Sequence, residues 1–99
     1  MPKLEIQRVL VLSTVHISRA DAAVLRQLSD HELVTGPVVY AYPEGYWIHM
    51  GDEMYEYEEV PQLSKAFYAA AKLAQKNGCQ FLRLDCDGQV RANLPQFNW

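Results

Sequence analysis

Residues 61–78, PQLSKAFYAAAKLAQKNG, place Leu63, Ala66, Phe67, Ala70, Leu73 and Ala74 at the i, i+3, i+4, i+7 spacing of a helix with one apolar face. A stripe of this kind has to be buried against a second layer, so the remaining segments must supply one. Pro61 suits the first turn of this helix and Gly78 its C-terminal cap. Lys65, Lys72 and Lys76 fall on the opposite face, two of them near the C-terminal end, where the helix dipole favours cations.

The second layer is read as a sheet. Residues 4–13, LEIQRVLVLS, begin with alternation and become continuously apolar at 9–12, which predicts a strand buried at its end. In SRADAAVLRQLSD, Ser18 is placed to cap a helix of about three turns, Asp21 is its capping-box partner, and Val24, Leu25 and Leu28 form the stripe. Gly36-Pro37 breaks the chain, after which VVYAY and YWIHM, joined by PEG, predict an antiparallel hairpin over 38–50. Its aromatics, Tyr40, Tyr42, Tyr46 and Trp47, read as sheet core and cross-strand pairs. CQFLRLD predicts a last strand and DCDG a turn. The tail, with Val90, Leu94, Phe97 and Trp99, is expected to fold back rather than leave its aromatics wet.

The order β-α-β-β-α-β predicts an α+β protein of the ferredoxin-like class, a four-stranded antiparallel sheet with two helices on one face. An additional short strand at 54–58 is the alternative for the stretch between hairpin and helix. A chain of 99 residues, 49% of them hydrophobic, has the material for one domain, 1–99, and too little for two cores. The apolar run at 9–12 is far short of a bilayer span and no signal-peptide pattern precedes it, so a cytoplasmic protein without membrane contact is expected. Cys79 and Cys86 match no metal or redox spacing and read as free thiols, with Cys79 a small buried residue.

The charges segregate along the chain. Between Arg26 and Lys65 there are eight acids and no Lys or Arg, whereas the flanks hold all nine bases and the other four acids, within a net charge of -3. The acids concentrate in GDEMYEYEEV at 51–60. Charge runs are most often solvated faces, and Glu58 and Glu59 also favour the positive end of the following helix. Yet these carboxylates repel one another within a Debye length of about 8 Å, and Tyr55 and Tyr57 add interface-prone aromatics among them.

Two local patterns carry a resemblance: LSTVHISRAD at 12–21, and FLRLDCDGQV followed by LPQFNW at 81–99. Together they resemble a small bacterial family of unknown function with an S-T-x-H-I-[ST]-x-x-D stretch, a [YF]-L-R-[LF]-D-x-D-G stretch and a terminal tryptophan. The resemblance covers roughly the first and last fifths of the chain. It implies short soluble proteins encoded on plasmids and other mobile elements, a setting and not a reaction.

Several constellations compete as sites. Thr14 and His16, with Asp21, could form a small hydrolase or transferase centre, but a base needs its hydroxyl within about 3 Å and an orienting carboxylate. On a strand Ser13 points away from Thr14 and His16, and Asp21 already caps a helix. The structural reading is a hydrogen-bonded histidine at a strand-to-helix junction. Asp85, Asp87 and Gly88 lack the full calcium-loop pattern and read as a turn, and His16, His31 and His49 have no zinc-ligand spacing. Neither metal nor cofactor is expected. Trp47 could stack a base, yet the hairpin and the segment after it are acidic, which disfavours direct nucleic-acid binding.

The acidic stretch therefore leads to a non-enzymatic interaction module. Asp52, Glu53, Tyr55, Glu56, Tyr57, Glu58 and Glu59 are the expected partner-binding residues, and a basic protein is the expected partner. The mobile-element setting points to a nucleic-acid-binding defence complex, in an anti-CRISPR or anti-restriction role. The alternatives are the His16-centred enzyme and a homodimeric plasmid regulatory protein that pairs through a sheet edge.

Overall fold

The structure is a computed structural model that describes residues 4–30, 37–49 and 63–98. The chain forms strand β1 (Val9–Ser13), a 3₁₀ turn (Thr14–His16), helix α1 (Arg19–Ser29), the hairpin β2 (Val38–Tyr42) and β3 (Gly45–His49), helix α2 (Lys65–Lys76), and β4 (Phe81–Asp85). This is the expected α+β order with two helices. Leu12, Val39, Tyr46, Ile48, Leu82 and Leu84 from the sheet share one buried cluster with the apolar stripes of both helices. Among the described residues no helix is long and apolar enough to cross a membrane.

The sheet corrects the ferredoxin-like expectation. Its order is β1-β4-β3-β2, and β1 runs parallel to β4, whereas β4 with β3 and β3 with β2 are antiparallel. The fold is an α+β sandwich with a mixed sheet. Its geometry follows from where α2 begins. His49 ends β3 opposite Phe81, but Ser64, which caps α2, is bonded to Asp21 beyond the other end of the sheet. Residues 50–62 connect those two places, α2 then runs back, and β4 must lie antiparallel to β3. Burial along β1 follows the face: Leu12 is 0% exposed, like Leu82 and Leu84 of β4, while Val9 and Val11 on the opposite face are 36% and 37% exposed.

Local signals set the helix ends. Ser18 Oγ accepts from the Asp21 N–H at 3.0 Å and Asp21 Oδ2 accepts from the Ser18 N–H at 3.1 Å, the expected capping box. Asp21, 1% exposed, also accepts from the Ser64 N–H (2.8 Å) and the Ser64 hydroxyl (2.6 Å). One buried carboxylate thus joins the positive ends of both helices, where their dipoles favour it. α2 begins at Lys65, later than the first turn expected at Pro61, and Ser64 is its cap, because its hydroxyl can accept from the Phe67 N–H while donating to Asp21. At the other end Gly78, with φ of 70°, lets its own N–H reach the Gln75 carbonyl and the Cys79 N–H reach that of Ala74, a Schellman ending.

The tail folds back, as expected, onto the 3₁₀ turn. His16 is fully buried. Its Nδ1–H donates to the Pro95 carbonyl at 2.7 Å, so Nε2 is the acceptor for the Arg91 N–H at 2.9 Å. Phe97 N–H donates to the Val15 carbonyl at 2.7 Å and Ser13 N–H to that of Gln89 at 2.8 Å. Cys79 and Cys86 are free thiols, Cys79 half-buried against the core and Cys86 exposed. The expectations for an extra strand at 54–58 and for Trp99 lie outside the described residues.

Candidate functional site

A strand alternates its side chains between two faces, and among the described residues helices cover only one of them. The other carries three rows across β1, β4, β3 and β2: Val9, Phe81, His49, Val38; then Val11, Arg83, Trp47, Tyr40; then Ser13, Asp85, Gly45, Tyr42. Val38 is 50% and Tyr40 62% exposed. Phe81 lies between Trp47 (5.2 Å between ring centroids) and His49 (5.3 Å), distances at which tilted aromatic pairs attract. Of the hairpin aromatics, Tyr46 is core as expected, but Tyr40, Tyr42 and Trp47 belong to the uncovered face.

A polar network closes one end of this face. Tyr42 OH donates to Asp85 Oδ2 at 2.7 Å, Arg83 Nε donates to the Tyr42 hydroxyl at 2.9 Å, and Arg83 Nη2 donates to Asp85 Oδ2 at 3.0 Å. The other carboxylate oxygen accepts from the Asp87 N–H at 2.8 Å, which makes the DCDG turn. The Tyr42 hydroxyl and then the Asp87 N–H hold the Asp85 carboxyl below its usual range, with Arg83 adding to both. Partial desolvation, and the carboxylate it donates to, push the Tyr42 phenol up.

Two glycines permit this end to close. A Cβ on Gly45 would overlap the Leu84 carbonyl, and one on Gly88 would overlap that of Leu12. Beside them lies an open depression of about 370 Å³ lined by Val11, Glu44, Arg83, Asp85, Asp87 and Gly88. Arg83 is paired to Asp85, so Glu44 and Asp87 leave the depression acidic. The chemistry available there is recognition of a cationic group flanked by apolar surface.

The ligand atoms of Asp85, Cys86 and Asp87 lie within 4.8 Å of one another, but Asp85 already accepts from Tyr42, Arg83 and Asp87. Desolvation, then the Asp87, Asp85 and Glu44 carboxylates, raise the Cys86 thiol, the opposite of what a thiolate nucleophile or ligand needs. Thr14, His16 and Asp21 are not assembled as a triad. Both His16 nitrogens are bonded to the tail backbone and Asp21 to the two helix caps. Asp52, Glu53, Tyr55, Glu56, Tyr57, Glu58 and Glu59 lie outside the described residues. What sequence reasoning missed is the uncovered face. Its one visible signal was Arg83 between Leu82 and Leu84, a polar side chain in an otherwise buried strand.

The description of a family of unknown function, the DUF5983 C-terminal domain, matches residues 9–99, from the first residue of β1 through the folded-back tail. The chain belongs to the DUF5983 family. No curated protein and no solved structure matches it. Both stretches that resembled a family of unknown function, 12–21 and 81–99, lie within the DUF5983 match.

Proposed function

We propose that this DUF5983 domain is a non-enzymatic protein-binding module whose contact surface is the uncovered face of the sheet and whose partner is a basic protein. The observation that carries this reading is the face itself: Val11, Val38, Tyr40, Trp47 and Phe81 offer apolar and aromatic area, and the Glu44, Asp85 and Asp87 depression offers a seat for a lysine or arginine. Aromatic area with a charged end is the composition that gives interfaces their anchors and their register. The acidic stretch belongs to the same reading through its sequence, since Asp52, Glu53, Glu56, Glu58 and Glu59 come soon after β3, with Tyr55 and Tyr57 among them. Carboxylates so arrayed compete with phosphates for arginine and lysine. A nucleic-acid-binding defence complex, met in an anti-CRISPR or anti-restriction role, is the partner class this favours.

The test is affinity capture from a nuclease-treated bacterial lysate at low and moderate salt. The wild type is compared with Tyr40→Glu/Trp47→Glu, with Glu44→Lys/Asp87→Lys, and with Lys at 53, 56, 58 and 59. A single partner held by the wild type in a salt-sensitive way and lost from the first two variants supports the reading. Equal capture by all four discards it. Loss only from the last variant moves the contact to the acidic stretch.

A further inference from the structure

The two edges of the sheet are finished differently. On β2 the Ala41 N–H is taken by Ser29 Oγ of α1 at 3.0 Å, and Pro37 precedes the strand. That edge is guarded by a side-chain cap and an imino acid, two ordinary means of blocking strand addition. On β1, among the described residues, only the C-terminal end is occupied, where Leu12 bridges to Gln89 and the Ser13 N–H is bonded.

The Arg8 carbonyl accepts from Gln80 and Phe81 and the Arg8 N–H donates to Gln80 Oε1, all on the β4 side. By the alternation of a strand, the N–H and C=O of Val9 therefore point away from the sheet. Beyond it, residues 4–7 make no hydrogen bond to other described residues, and Leu4 and Ile6 are 81% and 79% exposed. Exposed β-forming side chains next to open backbone groups are a template for another strand.

We infer that a second copy of this chain adds there, β1 edge to β1 edge, antiparallel about a two-fold axis at Gln7. The register follows from the residues. Pairing must set outward odd-numbered positions against one another; an axis at Gln7 does so over residues 4–10, with Gln7 opposite Gln7 and Glu5 opposite Val9 as the hydrogen-bonded pairs, whereas an axis at Ile6 would shorten the pairing to 4–8. Leu4 then faces Leu10 and Ile6 lies over the aliphatic stem of Arg8, on the side that the helices cover. Shifting the axis by one position to Arg8 would oppose two guanidinium groups, which disfavours it. The pairing stops short of Leu12, where Gln89 already holds the edge. Because the β2 edge is guarded, one such contact uses the open edge of each copy and the assembly closes as a dimer. It places the two uncovered faces side by side on one continuous sheet.

Sedimentation equilibrium of the whole chain tests this, with Gln7→Pro and Ile6→Lys as variants. Pro at 7 removes an outward donor and suits an extended backbone, while touching no bond within the chain. The wild type is expected at twice the 11.3 kDa chain mass. Each variant should raise the dissociation constant roughly tenfold or more with its circular dichroism unchanged. Amide exchange should show Gln7 and Val9 protected only in the dimer. A wild type that stays monomeric overturns the inference. So does a dimer that survives Gln7→Pro and Ile6→Lys. If that dimer dissociates on Trp47→Glu, it belongs to the uncovered face.

Discussion

The two faces of the sheet are built from alternate residues of the same four strands, yet they meet different surroundings. On the covered face Leu12, Ile48, Leu82 and Leu84 are fully buried under two helices. On the other, side chains of comparable size, Val9, Val11, Val38 and Tyr40, keep between 36% and 62% of their surface in water. The two buried carboxylates also serve different ends. Asp21 ties the helix starts together, whereas Asp85 fixes Tyr42 and Arg83 at the rim of the acidic depression. An apolar side chain on a strand is thus not by itself evidence of core. Substitutions on the covered face should cost stability, and those on the open face should cost binding.

The largest loss is expected from Leu82→Ala. Removing a fully buried leucine from the central strand should cost about 3 kcal/mol in urea unfolding, through lost burial and the cavity left behind. A cost under about 1 kcal/mol would break the contrast between the faces. Asp21→Ala comes next, at about 2–3 kcal/mol by thermal unfolding. It leaves the Ser18 and Ser64 N–H groups without their acceptor and removes a charge favoured by two helix dipoles. His16→Ala should cost about 2 kcal/mol and release the tail, read as faster limited proteolysis beyond Arg91. If it instead abolished a catalytic turnover at unchanged stability, the enzyme alternative would return.

Tyr42→Phe should cost about 1 kcal/mol, since its hydroxyl is only part-buried. The pH dependence of this difference sharpens the contrast. Asp85 has its carboxyl held below the usual 3.8, so its contribution is complete above that value and is lost as pH falls through the lower folded value. The Tyr42 phenol is raised above 10.0, so its contribution is complete below that value and fades as pH rises toward the folded one. The difference between wild type and Tyr42→Phe in unfolding titrations should thus be flat between about pH 5 and 9 and shrink at both extremes. The smallest change in stability, within about 0.5 kcal/mol, is expected for Tyr40→Ser at the most open position of the face. Its effect should appear in partner capture alone.

What was legible in the sequence is what is decided by neighbours in the chain. Ser18 and Asp21 close a capping box three residues apart, Gly78 adopts the left-handed backbone at a helix end, and DCDG turns on an Asp85 carboxylate two residues from the N–H it accepts. The helical stripes were readable for the same reason, and so was the hydrogen-bonded role of His16 at its junction, though not its partners Pro95 and Arg91, 79 and 75 residues away.

Only the tertiary structure decided which strand lies beside which. VVYAY and FLRLD are apolar or aromatic on both faces over most of their length, so period two alone could not say which side the helices would cover. The direction of β4 depends on where α2 starts, and that depends on Ser64 meeting Asp21, 43 residues away. Local sequence sets torsions and caps because those energies are spent within a few residues. Strand order, the open edge and the uncovered face depend on burial shared by the whole chain, which no single segment encodes.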